Sequence, residues 1–169
     1  MMQSHQAASA TVRSVIIPLF VALCAASILA GALWVQHEGN PPCPLCILQR
    51  IAYLALLAFA LVAAGLSAAR QTISSRMALM FGALSGLIGL GIAARHIWLV
   101  LHPGQTCGLD PLAVTINHWS ITHWMPWMFS ADGLCADVPD VFGLSLPMWS
   151  ALGFTLLTAL LLLPLRSPK

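Results

Sequence analysis

Pro42-Cys43-Pro44-Leu45-Cys46-Ile47-Leu48-Gln49-Arg50 stands where one long apolar run has ended and the next begins. If the flanking runs cross a bilayer, this junction lies at a membrane surface and carries a Cys-x-x-Cys pair with an arginine one helical turn further in. Working outward, runs 15–35, 47–66, 77–101 and 147–165 are each near or above the roughly 20 helical residues that span about 30 Å of hydrocarbon. Composition agrees: 59% of the 169 residues are apolar and 7% charged, against about 25% charged in soluble domains, and mean hydropathy is +0.88. The predicted fold is an all-α integral membrane protein, a four-transmembrane-helix bundle forming a single domain over 1–169. Loops 36–46 and 102–146 lie on one side, the second with a short interfacial helix, and a polar turn at 67–76 on the other.

Arg13, Arg70, Arg76, Arg166 and Lys169 fall on the side of the termini and the middle turn, which the distribution of basic residues makes cytoplasmic. The two outer links have no lysine or arginine before Arg50 and Arg95 at the helix edges. They hold every acidic residue: Glu38, Asp110, Asp132, Asp137 and Asp140. Both termini are therefore expected in the cytosol and both links in an oxidising space. Ala30-Gly31-Ala32 has the small-residue look of a signal cleavage site, but the apolar run continues through Val35 and suits a retained helix better. A net charge of +2 points to no particular partner, and none of nucleic-acid type is expected.

Cysteine placement follows from this topology. Cys43 and Cys46 open the second span, Cys107 and Cys135 share the long loop, and Cys24 lies in the middle of the first span. Cys24 reads as a small packing residue. The four outer cysteines allow three pairings. Cys43 with Cys46 and Cys107 with Cys135 is the most natural, since one pair is close in sequence and the other shares a loop. Closing the longer loop would restrict the unfolded chain by about 3.5 kcal/mol, so a plain structural staple also accounts for that pair taken alone. Structural zinc sites usually present two close knuckles. Cys107 and Cys135 are far apart in the chain, and no metal is expected.

Pro44 suits the first position of a helix, which makes Cys43 its N-cap and puts Cys46 in the first turn. Unbonded amides and the positive end of the helix dipole stabilise a thiolate there. Arg50 follows Cys46 by four residues, on the same face and about 6 Å along the axis. There it can favour a thiolate, polarise a bound carbonyl, or reach to lipid head groups.

Three other features stand out. The run from Asn117 to Phe129 is rich in tryptophan and is expected to lie flat at the head-group boundary, carrying a loop cysteine towards Cys43; His118 and His123 within it read as interfacial polar residues. Gly82 and Gly86 have the spacing of close helix packing. Arg95 sits far enough into the third span to need a partner or a route to the surface.

Taken together, the span number, the Cys-x-Leu-Cys at Cys43, Leu45 and Cys46, Arg50, the second cysteine pair and the stretch from Phe142 to Trp149 resemble the disulfide bond formation protein B family, over essentially the whole chain. The resemblance implies a bacterial inner-membrane protein-dithiol:quinone oxidoreductase that reoxidises a periplasmic DsbA-like thiol oxidase. Electrons would pass through Cys107/Cys135 and Cys43/Cys46 to ubiquinone or menaquinone in the membrane pool. It also implies that Cys107 forms the mixed disulfide with the partner, that Cys46 is the thiolate nearest the quinone with Arg50 beside it, and that His96 is quinone-proximal. DsbA, DsbB and quinone are the known system that keeps the bacterial periplasm oxidising, and the about −120 mV of DsbA belongs to that system. A final acceptor must be more oxidising overall, which a lipid-soluble quinone satisfies. Alternatives are an oxidase of a different thioredoxin-fold partner, a functional analogue of the vitamin K epoxide reductase group, and a haem-binding electron-transfer subunit. Against the last, the histidines lie at or outside the helix ends.

Overall fold

The structure, a computed structural model, describes residues 2–102, 111–135 and 138–166, with side chains from residue 13 to 165. Cys107, Asp110, Asp137 and Lys169 lie outside the described residues.

Four long helices carry the fold: α1 (Met2–His37), α2 (Pro44–Ala68), α3 (Thr72–Leu101) and α7 (Leu146–Arg166). All four are long and apolar enough to cross a membrane. Around the bundle, α2 packs between α1 and α3, and α7 between α3 and α1. Helix α2 starts ahead of its apolar run because Cys43 caps it. The cap residue is extended (φ −80°, ψ 165°), its Sγ accepts from the Cys46 amide at 3.3 Å, and Pro44 occupies a position where no N–H is needed. At the other end Arg70 takes a left-handed conformation (φ 59°). There Ser75 Oγ donates to the Ala63 carbonyl at 3.1 Å, while its own oxygen lies 2.6 Å from Ser67 Oγ, closing a tight turn into α3.

The glycines of α3 make the central seam. Space for a side chain at Gly82 is taken by Leu161 and Phe59, at Gly86 by Thr158 and Leu56, and at Gly89 by the Phe154 ring. Phe154 is fully buried and stacked on Tyr53, with ring centroids 3.9 Å apart. Tyr53 is itself fixed by a 2.9 Å bond to the Ser150 carbonyl. A methyl group at Gly89 therefore meets a ring with nowhere to go. Overpacking of this kind costs about 1–3 kcal/mol, so Gly89→Ala should lower the thermal unfolding midpoint in lipid nanodiscs, with Phe154→Leu in the same chain restoring part of the loss. An unchanged midpoint would mean the ring can yield.

In place of one interfacial helix, the described part of the long loop forms three short ones: α4 (Pro111–Asn117), α5 (Ser120–Trp124) and α6 (Pro126–Phe129). Pro126 opens α6 and cannot continue the helix before it. Ile116, Met128 and Phe129 bury against Ile47 of α2, while Trp124 and Trp127 stay exposed. The layer thus has one face on protein and a tryptophan face turned away from it. His118 and His123 are exposed. Beyond it, β1 (Asp140–Val141) and β2 (Leu144–Ser145) form a two-residue hairpin. At its tip Phe142 has φ 53° and is 95% exposed, and Trp149 Nε1 donates to the Val141 carbonyl at 2.9 Å. Arg95 is exposed, with its guanidinium 4.6 Å from the centre of the Trp98 ring, a cation–π contact. Cys24 is half-buried against the main core, consistent with packing.

A candidate thiol relay site at the start of the second helix

The cap of α2 places two sulfurs together: Cys43, 1% exposed, has its Sγ 3.1 Å from Cys46 Sγ. A third sulfur comes from the long loop. The Pro42 carbonyl accepts from two successive loop amides, Asp132 N at 3.1 Å and Gly133 N at 3.0 Å, which brings Cys135 down onto Cys43. Just upstream, the Asn117 side chain pairs with the Ala131 backbone in both directions, at 2.8 and 3.2 Å. Gly133 is required by the approach, because a Cβ there would collide with the Pro41 carbonyl oxygen.

Helix α3 adds His96, fully buried, with Nε2 3.5 Å from Cys43 Sγ and 3.1 Å from the Cys135 carbonyl oxygen. Its Nδ1 lies 3.1 Å from Gln49 Nε2. Cys43 Sγ, Cys135 Sγ and a His96 nitrogen all fall within 4.8 Å of one another, a donor set of the kind a thiophilic metal uses. Both ring nitrogens of His96 already have hydrogen-bond partners, the Cys135 carbonyl and Gln49, so a metal at this nitrogen would have to displace one of them.

The electrostatics favour thiol exchange. Cys43 is held well above the ordinary thiol range, first by its hydrogen bond with Cys135, then by that with Cys46, and by burial. Cys135 is lowered to about 7, chiefly because it accepts from Cys43, with burial opposing. Near neutral pH a ready thiolate thus lies beside the Cys43 sulfur.

Arg50 is 5% exposed and bonds to Gln36 Oε1 at 2.7 Å, the Met128 carbonyl at 3.0 Å and the Ala32 carbonyl at 3.2 Å. Gln36 also donates to the Trp127 carbonyl at 2.9 Å. The arginine therefore ties the end of α1 and the aromatic layer to the cysteine helix. Cys46, Arg50 and His96 all border a cavity of about 800 Å³ walled by α1 and α7, with Ala32 and Trp149 on those walls.

Of the sequence-predicted site residues, the structure gathers Cys43, Cys46, Cys135, Arg50 and His96; Cys107 is outside the described residues. Gln36, Gln49, Asn117 and Gly133 went unnoticed in the sequence. Only Gln49 left a trace, as a polar residue one turn from Cys46 inside an apolar run.

Comparison with known proteins agrees with this geometry. The family model described as disulfide bond formation protein DsbB matches residues 14–164. Proteins named disulfide bond formation protein B are similar along most of their length. The one from Ralstonia nicotianae is 40% identical over 141 residues, 82% of this chain and 86% of its own. The one from Cupriavidus necator is 41% identical over 142 residues, 83% and 85% respectively, and that from Herminiimonas arsenicoxydans 38% over 144, or 84% and 89%. With its capped Cys-x-x-Cys at the mouth of a membrane-helix cavity, this chain belongs to the DsbB family of disulfide-forming oxidoreductases.

Proposed function

We propose that the protein reoxidises a periplasmic DsbA-type thiol oxidase and delivers the electrons to a membrane quinone, ubiquinone or menaquinone. The protein sits in the bacterial inner membrane with its termini in the cytosol. The observation that carries this reading is the meeting of Cys135, from the long loop, with Cys43, whose partner Cys46 borders the cavity.

In the proposed sequence, a DsbA thiolate attacks Cys107 of a Cys107–Cys135 disulfide and releases Cys135 as thiolate. Resolution of that mixed disulfide by the second DsbA thiol leaves DsbA oxidised and the loop pair reduced. Cys135, lowered to about 7, attacks Cys43 of a Cys43–Cys46 disulfide and expels Cys46 as thiolate. Cys107 then attacks Cys135, restoring the loop disulfide and freeing Cys43. Two electrons and two protons have by then moved from DsbA to Cys43 and Cys46. Re-forming the Cys43–Cys46 disulfide would then release these two electrons and two protons to a quinone held beside Cys46, which would leave as quinol.

The cavity fits such a group in size and character, since small-molecule sites commonly measure about 300–1,000 Å³ with apolar walls and few polar groups. Its walls are mainly apolar, with Arg50 and Gln49 among the polar exceptions. Three of the five Arg50 N–H groups are used by the bonds above; the remaining two could meet a carbonyl oxygen. His96 borders the same space and completes the proposed quinone site.

Arg50→Ala is expected to raise the apparent KM for quinone about tenfold or more, the loss of a charge-assisted hydrogen bond, with the KM for DsbA within about twofold. Steady-state quinone reduction monitored optically, with each substrate varied in turn, makes the check. An unchanged quinone dependence would reduce Arg50 to a structural tie.

A further inference from the structure

The hydrogen bonds of His96 have a direction that two partners fix. A carbonyl oxygen only accepts, so Nε2, 3.1 Å from the Cys135 oxygen, carries a hydrogen. A neutral imidazole has one N–H, so Nδ1 is bare and its partner must donate. That partner is the Gln49 amide nitrogen at 3.1 Å. Both side chains are buried, at 6% and 0% exposure. The result is a one-way chain from Gln49 on α2, through His96 on α3, to the backbone of Cys135 in the loop. Its last N–H also lies 3.5 Å from Cys43 Sγ.

We propose that Gln49 is a positioning residue for exchange between the two cysteine pairs: it holds His96 as the Nε2–H tautomer, whose N–H latches the Cys135 backbone above Cys43. This rests on the relay proposed above and adds to it a residue that touches no sulfur. Glutamine suits the task because it is a neutral donor. Leucine at 49 would fill similar space and leave Nδ1 without a partner. Glutamate would offer only acceptors, so that Nδ1 must take up a proton while Nε2 keeps its own.

The test is ¹⁵N NMR of full-length protein in lipid nanodiscs with labelled histidine, His96 being assigned by the signal missing in His96→Gln. Near neutral pH the wild type should show the Nε2–H tautomer, and Gln49→Leu should lose it. Gln49→Glu should show both nitrogens protonated. Rapid-quench alkylation should find disulfide transfer between the loop pair and Cys43/Cys46 slowed about tenfold in Gln49→Leu. An Nδ1–H tautomer in the wild type overturns the proposal, as does a Gln49→Leu protein with both the Nε2–H tautomer and the wild-type transfer rate. If Gln49→Leu does not fold, an unchanged neutral tautomer in Gln49→Glu overturns it instead. The NMR reading needs neither quinone nor DsbA, so failure of the relay itself would appear separately, as absent turnover with the tautomer intact.

Discussion

Cys46→Ser should bring DsbA-dependent quinone reduction below detection, while Cys24→Ser leaves it at the wild-type rate. The difference comes from where the two sulfurs lie. Cys46 is 3.1 Å from Cys43 and borders the cavity, so in the proposed relay it is the sulfur through which electrons leave the chain. A serine hydroxyl cannot form a disulfide, and its proton is far too tightly held to make a comparable nucleophile near neutral pH. With serine at 46, the sulfur within reach of Cys43 among the described residues is Cys135. The variant should therefore hold a Cys43–Cys135 cross-link, which peptide mapping under non-reducing conditions would detect. Cys24 packs against the main core of the bundle from the middle of α1, and serine there changes little in volume. Turnover persisting in Cys46→Ser would remove the proposed exit route.

The second large effect is expected at a residue with no chemistry of its own. Gly133 donates its amide to Pro42 at 3.0 Å, and any Cβ on it would run into the Pro41 carbonyl oxygen. Backbone blocks backbone here, so no side chain can swing aside. Gly133→Ala must lift the loop, weakening the bonds from Asp132 and Gly133, each worth about 0.5–1.5 kcal/mol net, and drawing Cys135 off Cys43. A misplacement of about 1 Å between reacting groups can slow a reaction about a hundredfold. Transfer between the pairs, followed by rapid quench and alkylation, should fall by ten- to a hundredfold. Thermal stability should change little, because the glycine seam around Gly82, Gly86 and Gly89 lies elsewhere in the bundle. A wild-type transfer rate would show that Cys135 reaches Cys43 without this clasp.

What the sequence displayed well were the features written in side-chain type. Apolar runs of spanning length marked the four long helices, Pro44 after Cys43 marked a helix start, and Gly82 with Gly86 marked a close seam. Joining the loop to the cysteine helix depends instead on main-chain groups. The Pro42 carbonyl, the amides of Asp132 and Gly133 and the Cys135 carbonyl exist at almost every position of any chain, and their partners depend on the fold. Gln36, Gln49 and Asn117 were illegible for a related reason: an amide side chain announces that it can hydrogen-bond without saying to what. The hairpin at 140–145 was hidden because Phe142 occupies a left-handed turn position where sequence preference favours glycine or asparagine.

That hairpin ties the molecule to its surroundings. A left-handed backbone at a non-glycine residue costs about 1–2 kcal/mol, and the Phe142 ring, 95% exposed, gains almost nothing from the protein in return. Moving such a ring from water into hydrocarbon is worth about 1.5–3 kcal/mol, enough to offset the turn if the tip dips into lipid. Val141 and Phe142 also border the cavity, so the shape of that wall depends on how deeply the molecule floats. Short-chain detergent should loosen this corner before it disturbs the bundle, and the proposed acceptor site would then report the thickness of whatever film surrounds it.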